Sequence, residues 1–199
     1  MHVNGWWVDH AIHTVPLPVL EPGRTVLEAE LPFGEQTNLE WLYLLGDFGV
    51  RAVGAKAVLT APIHSLTFGD IVPQGLPFYG GNLEYEIPFT LPQAGRVTAQ
   101  AAHYRGHLMT FSLDGSVPQQ VFLPPYVWHS SHLEGGGHVL RITLFGNRFN
   151  QFGPLHLFDS SWKYMGPGSW RSQGSQWSDE WQFRRTGILS RPVLTFFAE

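Results

Sequence analysis

Along most of the chain, apolar and polar residues alternate with a period of two, the pattern of half-buried strands. Residues 26–31 (VLEAEL), 83–87 (LEYEI), 97–104 (VTAQAAHY) and 108–113 (LMTFSL) alternate in this way, and 139–144 (VLRITL) does so most clearly. In that last run Leu140, Ile142 and Leu144 fall on one side and Arg141 and Thr143 on the other, which predicts a strand whose aliphatic set faces the core. The punctuation agrees. Asp114-Gly115 follows a strand-like run and reads as a hairpin turn, because this pair tolerates positive φ. PQAG at 92–95 and GGG at 135–137 separate further runs, and 182–197 reads as two closing strands. Closely spaced prolines, among them Pro16, Pro18, Pro22 and Pro32, leave little room for a sustained helix. The best helical candidate, residues 38–45 (NLEWLYLL), is short and reads equally well as a buried strand. The expectation is an all-β sandwich with few or no helices.

A weak internal echo bears on organisation. Residues 20–34 and 133–146 both run Leu-Glu, a glycine turn, then an alternating segment that ends in Phe-Gly. Both read as turn-plus-strand units of one β fold. Alternatively, residues 1–45 supply N-terminal strands that complete an upstream sandwich, and the sequence is a piece of a longer protein. The division expected is therefore 1–45 and 46–199, the latter forming the main sandwich with a Trp-rich C-terminal loop.

Composition narrows the class. With 43% hydrophobic and only 14% charged residues in 199, the chain can bury a core and does not read as disordered. The net charge of −4 and the lack of any basic run argue against a nucleic-acid partner. Cysteine is absent, so disulfides and thiolate metal sites are excluded. No apolar stretch approaches the ~20 residues of a membrane helix, and the first ten residues do not read as a signal peptide.

Residues 79–153 carry a resemblance. The block opens YGGNLEYEIPF, continues through HYRG at 103–106 and TFSLDG at 110–115, passes LPPY at 123–126 and closes on LEGGGHVLRITLFGN at 133–147. It resembles the sugar-binding, galactose-binding-like jelly-roll domain of family 2 and related bacterial glycoside hydrolases. One departure is His138, where the family often has Asn. The resemblance implies a galactose-binding-like sandwich that serves as a carbohydrate-binding or accessory module of a larger glycosidase, here its C-terminal part, and that is not itself an enzyme. A structural calcium ion is common in that fold, but no Asp-rich loop assigns one here. The implied partners are carbohydrate or neighbouring domains of the parent protein.

Candidate chemistry was weighed against plainer structural roles. Glycoside hydrolysis needs two carboxyls across a sugar. Glu84 and Glu86 share a strand face about 7 Å apart and read as a solvated face; Asp179 with Glu180, and Glu35 with Glu40, do not stand out. His129, His132 and His138, like His103 and His107, lack a third ligand at metal spacing. Ser169 sits in GPGSW, which is a turn and not a nucleophile elbow. Sugar stacking remains. Trp162, Trp170, Trp177 and Trp181 crowd a Gly/Ser-rich tail near His156, Asp159 and Arg171. The rings would either pack beneath the loop or form a platform. The candidate carbohydrate-binding set is His156, Asp159, Trp162, Trp170, Arg171 and Trp177. A purely structural scaffold is the alternative function.

Overall fold

A computed structural model describes residues 4–35, 37, 42–158, 166–170 and 172–198. Contacts divide the chain into two units, Met1–Leu44 and Leu45–Glu199.

In the first unit β1 (Gly5–Trp7) pairs with β2 (Asp9–Thr14) across a bulge at Trp6/Trp7. Trp6 packs on His10 at 4.2 Å, and Trp7 lies 6.2 Å from Tyr43. The strand expected at 26–31 does not form: these residues have no ladder partner and are exposed. The physical reason is that alternation makes a segment fit for a sheet but supplies no neighbour to pair with. Its echo at 133–146 does form a strand, because that stretch has a partner on both sides. Of the helical candidate 38–45, residues 38–41 lie outside the described residues, and 42–45 adopt no regular structure.

The second unit is an all-β sandwich. One layer is a four-stranded antiparallel sheet ordered β5 (Leu83–Leu91), β11 (Gly136–Phe145), β8 (Leu108–Leu113), β9 (Gln119–Val121). The other is three-stranded, ordered β10 (Val127–His129), β6 (Gly95–Gln100), β13 (Val193–Ala198). Leu140, Ile142 and Leu144 of β11 are fully buried, each worth about 1.5–3 kcal/mol relative to exposure. They join Met109 and Phe111 of β8 and meet Ala99 and Trp128 from the other layer in one core. Phe111 lies nearly parallel to Trp128 at 6.3 Å.

Smaller pairs complete the unit. The hairpin β3 (Gly49–Val53) and β4 (Lys56–Thr60) is tied to the rest by Val50 N donating to Gly75 O and Trp181 N to Gly54 O. The predicted strand at 97–104 stops at Gln100. Tyr104 and Arg105 instead form β7, which pairs with β12 (Gly187–Ile188). One short helix, α1 (Phe149–Phe152), follows β11.

Asp114 and Gly115 turn β8 toward β9 with φ of 48° and 77°, and Ser116 N closes the turn on Leu113 O. Asp114 also does longer-range work. Its Oδ1 accepts from Val139 N at 2.8 Å, and its Oδ2 lies 2.7 Å from His138 Nδ1. His138 Nε2 faces Glu134 O at 3.0 Å. Both ring nitrogens meet oxygen acceptors, an arrangement that the imidazolium form satisfies with both N–H groups. The Asp114 hydrogen bond, followed by that to Glu134, raises the His138 pKa, while the bonds from His138 and then Val139 hold the Asp114 carboxyl below its ordinary range.

Two predictions follow from this frame. Gly187 has φ +123°, and a Cβ there would run into Gly69 O, whereas Gly115 at φ +77° has open space around it. Gly187→Ala should therefore destabilise by more than the roughly 1–2 kcal/mol of left-handed strain alone, and Gly115→Ala by about that much; urea titration of both variants checks the order. The second concerns pH. His138's contribution is present below its usual 6.5 and lost as pH rises through its raised folded value; Asp114's is present above its usual 3.8 and lost as pH falls through its lowered one. Stability should thus peak between those limits. His138→Gln should lose more stability at about pH 5.5 than at about pH 9, and equal losses at both would count against the pair.

Candidate functional site

The direction of the β11 ladder decides what the edge of the sheet presents. Asp114 N donates to Val139 O at 3.0 Å, and Val139 N donates back to the Asp114 side chain. The main chain of Val139 therefore points toward β8. Alternation along the strand then turns Leu140 and Ile142 toward β5, where they pair with Ile87 and Tyr85. The even-numbered residues of β5 must face away. Pro88 occupies such a position, so its missing N–H costs no ladder bond. Glu84 and Glu86 occupy two more, on the side where β5 has no paired strand among the described residues.

Beside this outward edge lies a cleft of about 740 Å3. Leu83, Glu84, Tyr85 and Glu86 form one wall, residues 63–68 a second and residues 189–191 a third; no residue of β11 lines it. Its apolar part includes Ile63, Leu66, Leu83 and Leu189 and a ring pair, Phe68 and Tyr85, stacked at 5.2 Å and 7°. The Tyr85 hydroxyl accepts from Ile188 N at 3.1 Å. Burial raises the Tyr85 pKa, and the Ile188 hydrogen bond partly offsets that rise. The side chains of Glu84 and Glu86 stand on the face of the strand opposite Tyr85, where they flank Arg141 of the neighbouring strand: Nε lies 3.0 Å from Glu84 Oε1, and Nη2 lies 2.6 Å from Glu86 Oε1. The two carboxylates raise the Arg141 pKa, through the Glu86 hydrogen bond first. The face is solvated, as expected from the alternation, but it also borders a cavity.

The other walls are held by loop contacts. Gln74 folds residues 67–74 on themselves, its Oε1 accepting from Thr67 N at 2.8 Å and its Nε2 donating to Asp70 O at 2.9 Å. Asp70 Oδ1 accepts from Val72 N and from Thr186 N, both at 3.1 Å. Gly69 N and Ile71 N donate to Ile188 O and Thr186 O. The loop before β5 and the segment leading to β13 are thereby joined, and Arg191 and Ser190 are brought to the cleft.

Of the tail residues expected to bind sugar, His156, Trp170 and Trp177 are described, while Asp159, Trp162 and Arg171 lie outside the described residues. His156 sits between two indoles, 4.6 Å from Trp177 and 4.5 Å from Trp181, and its Nδ1 donates to Ser178 O at 2.9 Å. The array continues from Trp181 to Phe183 at 5.8 Å and to Phe78 at 5.2 Å. Trp177 Nε1 donates to Asp179 Oδ1 at 3.0 Å. These half-buried rings cover one another, which is packing beneath the loop. Trp170 is apart from them. It ends a 3-10 turn (Pro167–Trp170), its Nε1 donates to Phe152 O at 3.2 Å, and it is 48% exposed. The structure thus joins His156 to Trp177 and leaves Trp170 separate.

The cleft itself escaped the sequence reading. Its third wall, residues 189–191, lies more than a hundred positions from the other two, and the only local signal was the Glu84/Glu86 pair. Among the described residues no three His, Cys, Asp or Glu side chains converge as metal ligands, and no helix is long and apolar enough to cross a membrane.

No family model matches the chain, and no curated protein matches it. Among solved structures it is similar to a GH2 beta-galacturonidase from Eisenbergiella tayi bound to glycerol, with 18% identity and a TM-score of 0.38 over 74% of this chain. The matched part spans 22% of that enzyme's chain.

Proposed function

We propose that this chain is a non-catalytic, carbohydrate-binding accessory module of a larger carbohydrate-active protein, and that it takes sugar in the cleft beside β5. The observation that carries the reading is the make-up of that cleft. It combines a ring pair, Phe68 and Tyr85, with Arg191 and the outward main-chain groups of the edge strand β5. A sugar has apolar C–H faces and a hydroxyl edge, and a concave site with apolar floor and a few convergent polar groups suits it. Binding is favoured over turnover by the placing of the acids. Glu84 and Glu86 lie on one wall and share one guanidinium, whereas hydrolysis needs carboxyls on either side of the scissile bond. The resemblance of residues 79–153 to sugar-binding sandwiches supports the same reading.

A scaffold role is the second reading, and a separate observation favours it. In the first unit Val19, Val26 and Phe33 are 92%, 75% and 77% exposed. Apolar side chains gathered in one unpaired stretch suit a neighbouring domain as cover.

Titration of the 15N-labelled chain with a broad panel of glycans tests the proposal. Main-chain amide shifts should concentrate at Glu84, Tyr85, Glu86, Ser190 and Arg191 at millimolar ligand. Phe68→Ala should weaken binding by roughly tenfold, about the worth of one aromatic contact. Shifts confined to the Trp170 region would move the site to the tail, and no shift with any glycan would leave the scaffold reading.

A further inference from the structure

One side chain reaches all three walls of the cleft. Tyr85 stands on the β5 wall, and its ring stacks on Phe68 of the 63–68 wall at 5.2 Å and 7°. Its hydroxyl oxygen accepts from Ile188 N at 3.1 Å, beside the 189–191 wall. Ile188 is wholly buried and does not line the cleft. That hydrogen bond therefore ends behind the surface that a ligand meets.

The bonding of residues 186–188 explains what the hydroxyl does. Gly69 N donates to Ile188 O at 2.8 Å and Ile71 N to Thr186 O at 2.9 Å, which is half of an antiparallel ladder. In a complete ladder the N–H groups of Thr186 and Ile188 would go to carbonyls of the facing chain. Here two side chains take them: Thr186 N donates to Asp70 Oδ1 and Ile188 N to the Tyr85 hydroxyl, both at 3.1 Å. Asp70 belongs to the loop that already makes the half-ladder. Tyr85 belongs to β5, so its bond ties the segment to the sheet. On the other side β7 holds the segment, by pairing Arg105 with Gly187 and by Leu189 N donating to His103 O at 2.7 Å. A buried N–H needs an acceptor, and the rigid phenol ring fixes how far from β5 Ile188 finds it.

Resting on the carbohydrate reading of this cleft, we infer that the Tyr85 hydroxyl is a positioning group: through Ile188 it sets how far the 189–191 wall stands from the ring pair, so that Ser190 and Arg191 reach a sugar held on Phe68 and Tyr85. The ring and the hydroxyl of one residue then have separate duties, the ring as contact surface and the hydroxyl as spacer. Phenylalanine keeps the first and lacks the second.

The test is Tyr85→Phe in the full chain, read by amide hydrogen exchange, 15N shifts and calorimetric titration with cello-, xylo-, galacto- and galacturono-oligosaccharides. In the ligand-free variant the Ile188 amide should exchange roughly tenfold faster, while the Thr186 amide, held by Asp70, keeps its rate. With ligand, shifts at the amides of residues 84–86 should persist, those at Ser190 and Arg191 should shrink, and the dissociation constant should rise roughly three- to tenfold. In the unaltered chain the buried Ile188 amide should itself shift on binding, which decides the matter should the variant melt early. A merely structural role would instead speed exchange throughout the sandwich, Leu140 and Ile142 included, without separating the walls. That outcome, or no Ile188 shift in the unaltered chain, would overturn the inference. So would weaker binding with Ile188 exchange unmoved, since the hydroxyl would then meet the sugar directly, or unchanged binding with Ile188 released. Each of these leaves a carbohydrate site in place. Absence of any glycan response in the cleft amides of the unaltered chain would remove the carbohydrate reading and this inference with it.

Discussion

The placing of β11 between two partners governs this fold. Leu140, Ile142 and Leu144 are wholly buried, and β11 is paired along nine positions to β5 and along six to β8. A strand so enclosed has no freedom of register, since a slip by one residue would turn Arg141 and Thr143 into the core. The Asp114–Val139 hydrogen bonds fix which way the ladder points. From that single choice follow the tolerance of Pro88, the outward main chain of Glu84 and Glu86, and the setting of both carboxylates beside Arg141.

The cleft is what remains where this sheet runs out. A bare edge strand is a hazard, and proteins blunt it with charge, proline or covering loops. All three occur on β5: Glu84 and Glu86, Pro88, and the 63–68 loop stacked through Phe68 on Tyr85. The loop stands off enough to leave a cavity instead of sealing the edge. Gln74 and Asp70 hold it there by hydrogen bonds to main-chain groups.

In the tryptophan-rich tail part of the aromatic surface is covered by the tail's own rings. Indoles in a Gly/Ser loop suggest a stacking platform. Here Trp177 and Trp181 enclose His156 and lead into Phe183 and Phe78. Bringing these rings together removes apolar surface from water within a segment that has no strands of its own to pack.

The amino-acid sequence by itself determined the strands and turns of the second unit: the alternation of 83–87, 108–113 and 139–144 and the Asp114-Gly115 turn all correspond to observed elements. These are legible because burial on one face of a sheet imposes a period of two, and because tight turns need residues that accept positive φ. Residues 26–31 carry the same period and form no strand, since pairing requires a neighbour that local sequence cannot name. The array around His156 and the cleft were decided by tertiary structure alone. Each is made of segments far apart in the chain, and only the packing of the sandwich sets how close they come and which groups are left unpaired at its edge.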